Sequence, residues 1–378
     1  MDLDFSEEQN MLRETTRAIC DQHYGLEAVR DCEENEQGYP PAFWQALVES
    51  GLTALTVPED FGGVGLGLLD AVVVFEELGR TLSTSPLLSS SILAARAIEL
   101  LGTEQQKSRW LPLIAGGEVV ISCAQLEEGG SYDERGVTLD CFDNHLNGSK
   151  TLVPYACTAT HFLTLARERG SGQIVLALLA ADSEGIDARR QANIASSPSY
   201  QLTFTDAKVE TLFSAGDESW PLWQEAMSFA AVTLSAQASG SAEQMLNTTA
   251  EYAKTRVQFG KPIGQFQALS HTMAELAVEV EAGKTLAYQA AWAQGAGCAW
   301  QLLAAQAKLH AGETIRRTTK DGLQIHGGIG FTTEADPQLY YRRAKQLQLE
   351  HWDAEYLERR IAGLLLDSDS ETSIKFAE

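Results

Sequence analysis

Two short segments of this chain carry the residue types that hold phosphate. The first is Arg256-Val257-Gln258-Phe259-Gly260-Lys261-Pro262-Ile263-Gly264, followed by Phe266-Gln267 at the head of an apolar helix. The second is Gln324-Ile325-His326-Gly327-Gly328-Ile329-Gly330-Phe331, with Arg342-Arg343 beyond it. An arginine near a helix start, with glycines beside it, can grip a pyrophosphate. The guanidinium offers paired donors, and glycine lets backbone N–H groups come close. Other chemistries lack their patterns. Gly62-Gly63-Val64-Gly65-Leu66-Gly67 follows a Pro-Glu-Asp turn rather than a buried strand, so the strand–turn–helix dinucleotide fingerprint is missing. There is no Gly…Gly-Lys-Ser/Thr phosphate loop and no Gly-x-Ser-x-Gly elbow. The cysteines, at 20, 32, 123, 141, 157 and 298, form no Cys-x-x-Cys and lack zinc-type histidine spacing. Reduced, structural thiols and no metal site are expected.

Periodicity predicts the elements that must position these segments. Residues 1–118 read as helices. Ser6-Glu7-Glu8-Gln9 is a capping box, with Phe5 as its staple. Pro40-Pro41 opens a second helix that stops at Gly51, with Phe43 and Leu47 on one face. Val57 to Gly63 is a turn. Leu68 to Leu78 is an apolar helix ending at Gly79, and Gly102-Thr103-Glu104 caps another that includes Trp110. From 119 to 215 short β-like runs alternate with turn residues, such as Ile174 to Leu179 and Gln201 to Phe204, with Asn147-Gly148 as a tight hairpin turn. Helical spacing returns over 216–378, with Leu269, Met273, Leu276 and Val280 as one helix face. The polar tail from Asp367 reads as frayed. The expected class is α+β, mainly α: helical domain, middle β-domain, helical bundle.

Composition sets outer bounds. The chain has 378 residues, 44% of them hydrophobic, which suits two or three packed domains. Its 52 acidic and 28 basic residues leave a net charge of −24, which disfavours nucleic acid and anionic membranes. The longest apolar run, Ile174 to Ala181, is far short of the ~20 residues that span a bilayer. The acidic start Met1-Asp2-Leu3-Asp4 lacks the order of a signal peptide, so a cytoplasmic protein is expected.

In series, the two phosphate-type segments and several other strings resemble the acyl-CoA dehydrogenase family. The others are Ala54 to Gly63, Glu76-Glu77-Leu78-Gly79-Arg80, Gly102 to Lys107, and Leu146-Asn147-Gly148-Ser149-Lys150. They span nearly the whole chain in the family's order. The resemblance implies a dimer of dimers that oxidises an acyl-CoA thioester with FAD and passes electrons to an electron-transfer flavoprotein. It further implies that FAD lies between β-domain and bundle, with its adenine end crossing into the neighbouring subunit. There Arg256, Gln258, Phe259, Phe266, Gln267, Gln324, Gly327 and Gly328 would hold it.

The pattern breaks where the flavin ring and the base should be. The family's glutamate stands in a Glu-Gly-Thr run after the second segment, where this chain has His351-Trp352-Asp353. At the family's other location the chain has Ala230. Thr-Glu-Pro and Gly-Ser-Asp become Leu126-Glu127-Glu128 and Gly130-Ser131-Tyr132-Asp133. Trp-Ile-Thr becomes Leu152-Val153-Pro154, and Pro154 offers no N–H. The half-site lent to a neighbour is intact and the half-site kept at home is eroded, which resembles heteromeric members that often handle bulky substrates such as steroid side chains. Three readings follow. One is a subunit of a mixed tetramer that shares its active site with a related dehydrogenase subunit. Another is a self-sufficient homo-oligomer with Asp353, His351 or Glu350 as base. The third is a scaffold subunit or flavin oxidase on the same fold.

Overall fold

The computed structural model describes residues 4–195 and 197–366, with Glu34 by its backbone alone. The tail from Asp367, expected to fray, lies outside these residues, as do Met1-Asp2-Leu3.

Helices come first: α1 (Glu7–His23), α2 (Leu26–Glu34), α3 (Pro41–Glu49) and α4 (Leu68–Arg80). A π-helical stretch, Leu88–Ala94, runs into α5 (Ala95–Leu101), and α6 (Glu104–Ala115) follows. Ser6 caps α1 reciprocally, since Gln9 N donates to its Oγ and its own N donates to Gln9 Oε1, both at 3.1 Å. Thr103 and Gln106 do the same for α6. The helix opened by Pro41 is the third, not the second. The short α2 begins behind Gly25 with no side-chain cap to announce it. α4 ends at Arg80, one residue past the expected stop at Gly79. A Cβ there would lie 2.0 Å from Gln237 O, and one on Gly240 would lie 2.0 Å from Glu76 O. These two glycines let α4 and α7 (Ser219–Thr255) meet backbone to backbone.

The middle of the chain is a sheet of β1 (Ile121–Ala124), β2 (Asp140–Phe142), β3 (His145–Pro154), β4 (His161–Glu168), β5 (Ile174–Ala180), β6 (Ile186–Gln191), β7 (Ser199–Lys208) and β8 (Thr211–Phe213). The spatial order is β6-β7-β3-β2-β4-β5-β8, with β1 parallel to β4. The predicted turn at Asn147-Gly148 is displaced. The turn is Asp143-Asn144, at φ 49° and 58°, a backbone that short polar side chains tolerate. β3 runs straight through Asn147 and Gly148, where the register against β7 slips and Gly148 takes φ 138°.

After α7 the chain makes a two-stranded ribbon, β9 (Val257–Gln258) and β10 (Lys261–Pro262), and then α8 (Gln267–Gly295), α9 (Gln301–His326), α10 (Pro337–Leu349) and α11 (Ala354–Leu366). Buried alanines on α8 and α9, among them Ala287, Ala291, Ala304 and Ala311, let these helices pack closely. Leu276 and Val280 are buried as predicted, while Leu269 and Met273 pack into a separate cluster at one end of the bundle. Among the described residues no helix is long and apolar enough to cross a membrane, and no group of acidic, histidine and cysteine side chains is placed to hold a metal.

Candidate active site

Both phosphate-type segments meet at that end of the bundle. Ala253, Ile263 and Ile325 form its core, with Tyr252, Phe266, Leu269 and Met273 packed around them. The Tyr252 and His326 rings stack at 4.4 Å. Arg256 is the C-cap of α7 rather than a residue near a helix start. The ribbon turns at Phe259-Gly260, φ 53° and 79°, and Ile263 N donates to Arg256 O at 2.8 Å, which returns the chain to the N-terminus of α8. Phe266 precedes that helix, and Gln267 is its first residue. Gln324 stands in the last turn of α9, with Gly327 and Gly328 just beyond. Arg256, Gln258, Gln267, Gln324, Gly327 and Gly328 are exposed, and Phe259 is 93% exposed. A Cβ on Gly327 or Gly328 would meet nothing within 4 Å, so the backbone there is open to a ligand. This donor set fits the adenine and pyrophosphate end of FAD.

A cavity of about 270 Å³ lies elsewhere, between the sheet and α10. Leu126, Leu152 and Pro154 form one side, and Ile194, Ala195 and Ser197 to Ser199 another. Arg342, Lys345, Leu349, Glu350 and His351 close it from α10 and the segment after it. No residue of 256–267 or 324–331 lines it. Backbone donors near it are already used. Cys123 N donates to Ser89 Oγ at 2.7 Å, Thr151 N to Leu126 O at 2.8 Å, and Leu152 N to Gln191 Oε1 at 2.9 Å. Tyr132, where the family has a small serine, donates its hydroxyl to Leu349 O at 2.9 Å. These residues do not fit a flavin ring that needs donors from the same subunit.

The base candidates separate by position. Asp353 caps α11, its Oδ1 accepting from Tyr356 N at 2.8 Å, and it is not on the cavity wall. Ala230 is fully buried and brings no acid. His351 and Trp352 hold φ 50° and 80°, so the turn keeps a shape that glycine adopts easily although Trp352 stands opposite the family's glycine. Burial, with the Lys308 charge nearby, pushes the His351 ring down to about 3, which leaves a weak proton acceptor. Glu350, beside it, does line the cavity. Burial raises its carboxyl above the usual range against the pull of Lys308. Lys308 is itself buried, donates to Leu347 O at 2.9 Å and Gln348 O at 3.1 Å, and is pushed down to about 8 by burial. The sequence held a signal for it: a lysine in the apolar stripe Ala304, Lys308, Ala311, Ile315.

The shift at His351 has a measurable consequence. The unfolded ring takes its proton near 6.5 and the folded ring near 3, so between these values the unfolded state binds more protons and acid lowers stability. His351→Gln removes this loss. As pH falls below 6.5, unfolding free energy shifts in the variant's favour by about 1.4 kcal/mol per pH unit. Urea midpoints at pH 7, 6 and 5 read the trend, and a gap constant with pH would disprove it.

A helical front, a sheet middle and a helical bundle whose end gathers an exposed arginine and open glycine backbone make up this architecture. The chain matches the acyl-CoA dehydrogenase N-terminal domain over residues 6–118 and the acyl-CoA dehydrogenase C-terminal domain over residues 218–363. It belongs to the acyl-CoA dehydrogenase family, FAD flavoproteins that act on CH–CH donors. It is 33% identical to the acyl-CoA dehydrogenase IpdE2 of Mycolicibacterium smegmatis, over 90% of this chain and 93% of that one. Its fold is similar to a chain of the ChsE4-ChsE5 complex from Mycobacterium tuberculosis, with TM-score 0.88, 28% identity, and coverage of 98% and 100%. It is also similar to a chain of the Tcur3481-Tcur3483 steroid acyl-CoA dehydrogenase, with TM-score 0.86, 28% identity, and coverage of 96% and 98%.

Proposed function

We propose that this chain is the cofactor-donating subunit of a mixed acyl-CoA dehydrogenase, working beside a related subunit that holds the flavin ring, the substrate and the base. The observation that carries this is the separation of the half-sites. The exposed grip at the bundle end shares no residue with the chain's own cavity, and the Cys123, Thr151 and Leu152 backbone donors beside that cavity are already used. Arg256 and the Gly327-Gly328 backbone hold the pyrophosphate, while Phe259, Phe266, Gln258, Gln267 and Gln324 border the adenine side. Bound FAD supplies the two-electron acceptor for the β-hydride. The same reading divides the chain at 1–118, 119–215 and 216–378, places it in the cytoplasm, and sends electrons to an electron-transfer flavoprotein. The likeness to a complex of two named subunits, and to a protein named as a steroid enzyme, supports the pairing and a bulky acyl group.

Co-expression with a related subunit that has an intact glutamate tests it. The expected product is a dimer of mixed dimers with about two flavins in all, counted by absorbance and native mass. A homotetramer of this chain with one FAD each, turning over acyl-CoA unaided, would overturn it. Glu350 favours that second outcome, because a cavity carboxyl with a raised pKa is what a resident base requires.

A further inference from the structure

We infer that the chain's own cavity is a binding site for an apolar carboxylic acid bearing a hydroxyl or carbonyl group at its far end. This rests on the reading that no flavin ring occupies this cavity. Three features build the site. The walls are apolar, formed by Leu126, Leu152, Pro154, Ile194 and Leu349. At the mouth, Lys345 reaches Gln348 Oε1 at 2.9 Å and pairs with no carboxylate among the described residues. The neighbouring Arg342 is already paired with Glu33 and donates to Gln338 Oε1 at 2.7 Å. In a chain of net charge −24, Lys345 is therefore the cation left for an incoming acid. On the inner wall, His351 is 6% exposed and its Nε2 has no hydrogen-bond partner.

A buried ring nitrogen without a partner is uncommon in a folded protein and marks a place where a polar atom belongs. The ring is neutral, so Nε2 can meet a hydroxyl or a carbonyl according to its tautomer. Glu350 on the same wall is held toward its neutral form by burial, which lowers its repulsion of an acid. A second pocket of about 40 Å³ shares Glu350 and His351 with this cavity and is too small to accept the ligand's body. The outer cavity, about 270 Å³, is of the order that small-molecule sites use.

The test titrates ω-hydroxydecanoate and decanoate into the full-length purified chain by calorimetry, after its visible spectrum is recorded. A colourless chain should bind both acids, the hydroxy acid up to about tenfold more tightly. Lys345→Met, an exposed change, should weaken both by about tenfold. His351→Phe should abolish only the hydroxyl advantage. A colourless chain giving no saturable heat, or one whose affinities ignore both substitutions, overturns the inference and leaves the proposed function standing. A yellow chain with one FAD overturns both.

Discussion

In the proposed mixed complex, Arg256→Ala weakens FAD binding by roughly 10–100-fold, the loss expected for charge-assisted hydrogen bonds to a phosphate. The fold does not change with it. The Arg256 side chain is exposed and makes no ion pair among the described residues, and only its backbone takes part in the turn, through Tyr252 O and Ile263 N. Surface changes of this kind shift stability by about 0.5 kcal/mol or less. Flavin content after gel filtration, set against melting temperature, therefore separates a cofactor role from a structural one. Arg256→Lys recovers part of the affinity, because an ammonium supplies the charge without the planar fork. Gly328→Val tests the other side of the grip: it leaves the charge alone and puts a branched side chain where a Cβ now meets nothing within 4 Å. If both variants keep full flavin, this end of the bundle does not hold the pyrophosphate.

Why the two glycine-bearing segments stood out in the sequence and the cavity did not follows from how each is assembled. The grip comes from helix ends, where capping, glycine and arginine leave local marks in the sequence. The ribbon Val257 to Pro262 then needs only one turn to set Arg256 beside Ile263. The cavity is a meeting of β1, β3, residues 193–195 and 197–199 and α10, and pattern alone does not report which side chains face one another across such distances. The motif that named Asn147-Gly148 as a turn had the right residue types, yet Asp143-Asn144 took the turn and Gly148 the slip in register. Gly79 reads locally as a stop, and its role is set by a partner backbone more than 150 residues away, at Gln237. For the base, the family resemblance led to His351 and Asp353. The structure assigns Asp353 to a helix cap and leaves Glu350 as the cavity carboxyl.

Lys150→Met destabilises the chain by about 3–5 kcal/mol, the cost of stranding a buried charge. Lys150 is fully buried in β3, with Nζ 2.8 Å from Glu127 Oε1 and 3.3 Å from Gln125 O. Glu127 also accepts from Thr138 N and Leu139 N, each at 2.9 Å, and so pins the stretch that leads into β2. Burial raises the Glu127 pKa, but the Lys150 charge and the donors around it outweigh that and leave the carboxyl below its usual range. The lysine is the more deeply buried partner, and burial lowers its pKa despite Glu127. The carboxylate thus depends on the lysine, and its share of stability is present above its unfolded pKa and is lost as pH falls through the lower folded value. Removing the lysine alone leaves Glu127 charged and largely buried, its side chain 12% exposed. Glu127→Gln added to Lys150→Met recovers much of the loss, since an amide oxygen still accepts from Thr138 and Leu139 and carries no charge. Glu127→Ala added instead recovers little, because both backbone donors then lose their acceptor. Urea midpoints for the single variant and the two doubles measure the order. If the three melt alike, the pair is a surface-type contact of small worth, and the β1–β3 edge of the cavity is held by packing alone.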